Sequence, residues 1–193
     1  FVDIDPDSWC IAPESIRGAV TECTRAIIGV DLYGNIANWP LIRSLTNERG
    51  IFLIEDAAQA LGAQMGNIKA GRFGDISVFS FNRTKTLSTG EGGMLLTDSE
   101  DVYEEAKILR DHGRRPQDPA YFNWTVGFKY TPSNIAGALG CAQLTRIDAL
   151  LAYKRAIHAA YLEGLKDTPL DINQDGCWAT TIVFPEGYDK TKI

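Results

Sequence analysis

Two short runs without a single polar side chain, 26–30 (AIIGV) and 51–54 (IFLI), set the tightest limit on what this chain can fold into. A strand with one face in water alternates apolar and polar residues, whereas these runs do not alternate, so both of their faces are expected to be covered. Between them, Asn38 to Arg49 carries Leu41, Ile42 and Leu45 at helical spacing and ends at Gly50. A helix is likewise predicted from Pro13, with Ile16, Val20 and Cys23 on one side. With 1–4 read as a further strand, the order strand, helix, strand, helix, strand predicts an α/β fold with a mostly parallel sheet sandwiched by helices.

The rhythm then changes. Ile76 to Phe81 (ISVFSF) and Met94 to Thr97 (MLLT) read as strands joined by a polar, glycine-rich connection. Ser99 precedes a helix with acidic residues in its first turn, and Arg110, His112 and Gly113 mark its end. The 114–123 segment reads as a polar loop. From Pro132 to Lys166 runs the longest periodic stretch, with Ile135, Leu139, Ala142, Ile147, Leu150, Ile157, Tyr161 and Leu165 on one face. Its length predicts a kink and a contact beyond the local sheet. Thr180 to Phe184 reads as a strand with nothing to pair it. The chain opens at Phe1 inside an apparent strand and is expected to be a piece of a longer one.

Several classes are set aside. A net charge of −6 gives no basic field for nucleic acid or an anionic membrane, and no apolar run has the length to span a bilayer. Cys10, Cys23, Cys141 and Cys177 are widely spaced and only His112 and His158 could join them, so no metal site is expected. The four thiols are expected to be small buried hydrophobes in a reducing compartment.

In a parallel α/β sheet ligands bind at the carboxyl ends of the strands. Two clusters stand there: Glu55-Asp56-Ala57-Ala58-Gln59 after IFLI, and Ser80 through Lys85 after ISVF, continuing to Thr89-Gly90-Glu91-Gly92-Gly93. Asp56 and Gln59 have the spacing of a capping box, which would make them structural. Alternatively, Asp56 is a carboxylate held for a cationic ligand nitrogen. Lys85 reads either as a solvated surface charge or as an amine partly desolvated at a sheet edge and so nucleophilic. The glycines form a hairpin turn or let backbone approach a ligand. Together, Asp56, Ser80 and Lys85 supply what pyridoxal 5'-phosphate requires: a carboxylate for the ring nitrogen, a donor for the phosphate and a lysine for the Schiff base.

The stretches IEDAAQALGA, GDISVFSFNRTKTLSTGEGGMLLTD, LRDHG and GFKYTPSNIAGALGCAQL resemble the DegT/StrS-type sugar-nucleotide aminotransferases, within the fold-type I PLP-dependent enzymes. The resemblance implies that Lys85 is catalytic and carries the cofactor, that Asp56 pairs with its ring nitrogen, that Gln59 lies near its phenolic oxygen and that Ser80 holds its phosphate. It further implies a cytoplasmic homodimer with active sites at the interface, taking an amino group from glutamate to a nucleotide sugar. The perosamine-synthase branch is most similar, implying a 4-keto-6-deoxy sugar. Some relatives carry histidine at the position of Lys85 and are dehydratases. Thr131 departs from the Asn or Arg common in relatives. In this reading residues 1–131 form an incomplete cofactor-binding large domain, 132–168 a connecting and interface helix, and 169–193 the start of a truncated C-terminal domain. A cysteine-handling lyase of the same fold type and an inactive dimerisation fragment are the alternatives.

Overall fold

The computed structural model describes residues 1–189. Its centre is a four-stranded sheet of β1 (Ala26–Val30), β2 (Phe52–Asp56), β5 (Ile76–Ser80) and β6 (Gly93–Leu96), in the spatial order β1-β2-β5-β6. β1, β2 and β5 are parallel, with Val30 opposite Asp56 and Asp56 opposite Val78. β6 runs antiparallel to β5 as the return arm of a long hairpin, with Ser80 opposite Gly93. β3 (Gln64–Met65) and β4 (Ile68–Lys69) form a small separate ribbon.

Helix α1 (Pro13–Ala19) starts on its proline as predicted but stops before Cys23. Helix α2 (Trp39–Asn47) is capped by the Asn38 side chain, which accepts from Leu41 N. Both helices seal one sheet face, where Ile16, Trp39 and Ile42 pack with Ile27, Leu53 and Phe73. Gly29 explains the one gap in the AIIGV run, because a Cβ there would lie 2.6 Å from the Trp39 ring. The apolar character of β1 exceeds what this chain buries: Ile27 faces the core while Ile28 is 62 % exposed.

Three expectations need correction. Residues 1–4 form no strand; Ile4 makes an isolated bridge to Ile11, because Pro6 and the Asp5 turn fold the segment back. Cys10 and Cys177 are buried, but Cys23 and Cys141 are exposed. The 180–184 strand does have a partner, since β8 (Ile182–Val183) pairs with β7 (Asp171–Ile172). Helix α3 (Glu100–Arg110) ends as read, and the long periodic stretch breaks into α4 (Asn134–Leu144) and α5 (Ile147–Leu165), bent by 67°. The break was expected, and on the periodic face Ile135 and Leu139 are exposed while α5 buries Leu151 and His158. Among the described residues, no single helix is long and apolar enough to cross a membrane.

Candidate active site

Two neighbouring carboxylates at the end of β2 have opposite surroundings, because successive side chains on a strand point to opposite faces. Glu55 shares the core face with Leu53 and is fully buried. Its Oε1 accepts from Gly71 N at 2.6 Å, and its Oε2 accepts from Phe73 N at 2.9 Å, Gly74 N at 3.3 Å and Ser77 Oγ at 2.6 Å. Four donors converging on one carboxylate make it the hub that shapes the turn into β5. Asp56, one residue on, turns to the other face and is half-buried.

Asp56 and Gln59 are not a capping box. No helix directly follows β2; the chain turns instead, and Asp56 Oδ1 accepts from Ala58 N at 3.0 Å. Gln59 reaches away, its Oε1 accepting from Tyr33 N at 2.8 Å. A backbone N–H can only donate, so this bond fixes the amide orientation and leaves Nε2 as the free-facing donor.

Lys85 lies in the connection between β5 and β6, its own N–H bonded to Asn82 O at 2.9 Å. Three tethers hold this loop. Trp178 Nε1 donates to Thr84 O at 2.8 Å, and Thr86 Oγ1 donates to Cys177 O at 2.6 Å. Gln143 of α4 clamps Ser88 from both sides: its Oε1 accepts from Ser88 N at 3.0 Å and its Nε2 donates to Ser88 O. Leu87, between the last two, is buried. The loop is therefore anchored on both sides of the lysine.

The Lys85 Nζ stands 4.1 Å from the centroid of the Trp178 ring. Desolvation holds its amine below the ordinary lysine range, while the nearby Asp56 carboxylate acts in the opposite direction. The ring face attracts a cation and so acts on the same side as Asp56. So the fold brings Lys85 and Asp56 into one electrostatic environment. Ser80 ends β5 on the same sheet rim, its Oγ accepting from Asn82 N at 3.3 Å. Among the described residues no hydrogen bond joins the four candidates to one another; they line a common rim.

Several residues of this rim went unread in the sequence. Tyr33, just past β1, holds a left-handed backbone at φ 55° and stacks on Trp178 at 6.0 Å, with Trp9 edge-on at 6.2 Å. Tyr33 lies at a strand end and was therefore open to the rule that found Asp56 and Lys85. Trp178 and Gln143 carry no such signal, because only tertiary folding brings them to the lysine.

Asp31, also at the end of β1, is fully buried. Its Oδ1 accepts from Ala37 N at 3.0 Å and Trp39 Nε1 at 2.9 Å, while among the described residues Oδ2 has no donor aimed at it. Burial, reinforced by the neighbouring Glu55 charge, pushes its acid up to about 8. Oδ2, the oxygen without a donor, is the one placed to carry the proton that Asp31 retains.

Residues 1–184 match the model of the DegT/DnrJ/EryC1/StrS aminotransferase family. A GDP-perosamine synthase of Vibrio cholerae is 30% identical over 195 residues, covering 98% of this chain and 53% of that protein. A GDP-4-keto-6-deoxymannose-3-dehydratase variant solved with bound GDP-perosamine superimposes with a TM-score of 0.89 at 30% identity, covering 100% of this chain and 56% of that one. The Escherichia coli GDP-4-keto-6-deoxy-D-mannose-3-dehydratase with bound hydrated PLP gives 0.86 at 30% identity, with coverages of 100% and 55%. The chain thus spans about half the length of the curated relatives it matches.

Proposed function

Because the chain belongs to the DegT/DnrJ/EryC1/StrS aminotransferase family, we propose that it carries the cofactor-holding half of an enzyme that moves an amino group, with glutamate as donor, to a keto-sugar nucleotide. A 4-keto-6-deoxy sugar is the acceptor we favour, from the likeness to a perosamine synthase. The family is one of pyridoxal phosphate enzymes, and the residues present fit that group. An amine with depressed basicity, a carboxylate in its field, an oriented amide donor and a hydroxyl all lie on one rim.

Bound pyridoxal phosphate supplies an aldehyde for amine exchange and a cationic ring that accepts the electrons freed at the donor's Cα. Lys85 Nζ is the amine that would hold the cofactor's aldehyde and, when free, would serve as the base for the donor's Cα proton. That role needs an unprotonated amine near neutral pH, and desolvation beside Trp178 favours it. Asp56, with Oδ1 engaged by Ala58 N, holds a proton on the ring nitrogen through its other oxygen. Gln59 offers Nε2 to the ring's phenolic oxygen, since its Oε1 is committed to Tyr33 N. The Ser80 hydroxyl donates to the phosphate.

The solved neighbours that are 3-dehydratases share this fold; Lys85, where the resemblance places histidine in dehydrating relatives, favours amino transfer. We further propose a homodimer in the cytoplasm, with residues 1–131 as the large domain, 132–168 as the connecting and interface helix, and a second domain beginning at 169.

The observation that carries the reading is the shared environment of Lys85 and Asp56. Its test is to add pyridoxal phosphate to the chain, reduce with borohydride and map the pyridoxyl group. Attachment at Lys85, with loss of visible absorbance in Lys85→Ala, supports the reading; attachment elsewhere ends it. Glutamate, and not cysteine, should then convert the bound cofactor.

A further inference from the structure

The residue that touches the Lys85 amine comes from the far end of the chain. Trp178 puts its ring face 4.1 Å from Lys85 Nζ and its Nε1–H on the Thr84 carbonyl at 2.8 Å, so one indole grips both the lysine's head and the backbone just before it. Its other neighbour, Tyr33, stacks on it with an interplanar angle of 12°.

The segment bearing Trp178 is locked in place. Asn173 is buried, and its Nδ2 faces the carbonyls of Tyr33, Asp175 and Ala179 while its Oδ1 accepts from Thr181 N. Gly176 lies against α5 so closely that a Cβ would come within 2.2 Å of His158 Cβ. Gly34, at φ +90°, would place a Cβ 2.8 Å from Cys177 Sγ. The buried Cys177 adds its carbonyl to Thr86 Oγ1. A side chain held this firmly can fix a flexible lysine, whose rotamer freedom otherwise opposes any single geometry.

We infer that Trp178 is a positioning residue for the Lys85 amine, and that the 173–178 segment is a working part of the site. The inference rests on Lys85 being the cofactor lysine. The indole excludes water from the near side of the amine and orients it along the ring normal. Asp56, at the end of β2, is the charged group facing the lysine from the opposite element. The ring face carries no anionic oxygen to bind the amine as a salt bridge would, so the amine stays within reach of a carbonyl carbon.

The experiment follows the pH dependence of borohydride-trapped pyridoxyl label on each lysine of the full chain by mass spectrometry, with pyridoxal phosphate as probe. In Trp178→Ala the Lys85 midpoint rises toward the ordinary lysine range, so that labelling at pH 7.5 falls about three- to tenfold and recovers at pH 10. Trp178→Phe, which keeps a ring face, stays within about twofold of the parent. Thr86→Val, which releases the Cys177 carbonyl, moves the midpoint the same way by less and serves if Trp178→Ala does not fold. A purely structural role would lower labelling equally at every pH. Midpoints unchanged in both Trp178→Ala and Thr86→Val overturn the inference while leaving Lys85 as the cofactor lysine. Parent label on another lysine overturns the underlying reading instead.

Discussion

Replacing Asp31 by asparagine is expected to leave the fold standing and to remove a pH dependence of stability. In the folded chain Asp31 keeps its proton up to about pH 8, whereas an unfolded aspartate loses it in the ordinary carboxyl range. A folded-state value raised above the unfolded one means that the native state binds the extra proton. Its stabilisation is complete below the unfolded value and is lost as pH climbs through about 8. The slope is about 1.4 kcal/mol per pH unit between those limits, or about 2 kcal/mol between pH 6 and pH 8. Asparagine reproduces the protonated acid: its oxygen accepts from Ala37 N and Trp39 Nε1, and its amide donates toward Glu55 in place of the Oδ2 proton. Urea unfolding of both chains at pH 6, 7, 8 and 9 isolates the term, because every other titrating group is shared. The parent should weaken relative to Asp31→Asn by about 2.5 kcal/mol across that range, most of it between pH 6 and pH 8. Parallel curves would refute the protonated pair, and so would a variant several kcal/mol weaker at every pH.

Other perturbations probe the rim directly. Asp56→Asn keeps the acceptor for Ala58 N but cannot hold a proton on a ring nitrogen; the glutamate half-reaction, followed by absorbance, should fall by about a hundredfold or more. The same change removes the carboxylate that supports the charged lysine, so the Lys85 labelling midpoint should move down, opposite in sign to Trp178→Ala. Gln143→Ala frees both polar groups of Ser88 and should speed amide exchange across 84–89 by roughly tenfold or more, for about two lost hydrogen bonds. Gly176→Ala forces a Cβ into His158; a loss of about 1–3 kcal/mol in urea unfolding is expected, with Lys85 labelling displaced as in Trp178→Ala.

What the sequence disclosed and what it hid divide along one physical line. Continuous apolar runs, Pro13, Asn38 and Ser99 mark β1, β2, α1, α2 and α3, because burial, ring closure and capping act over a few residues. Strand ends are equally local, so Asp56 and Ser80 could be placed on one rim from spacing alone. The capping box failed for a reason that is not local: Tyr33 N, from the neighbouring strand's exit, takes the Gln59 oxygen that a cap would have used. Glu55, which simply follows the IFLI run in the sequence, is a buried acceptor, since the tertiary turn at 71–77 supplies its donors. The same holds for the lysine. Its identity as a candidate follows from a motif, but burial depresses its basicity, and the indole that stands over the amine is brought in from the other end of the chain. Residue type sets which chemistry is open to a position, and contacts distant in sequence set whether the position can perform it. A rim whose reactive amine is tuned from position 178 cannot be understood from the 80–93 block alone, and shortening the chain before Trp178 should leave the motif intact while returning Lys85 to the labelling profile of an exposed lysine.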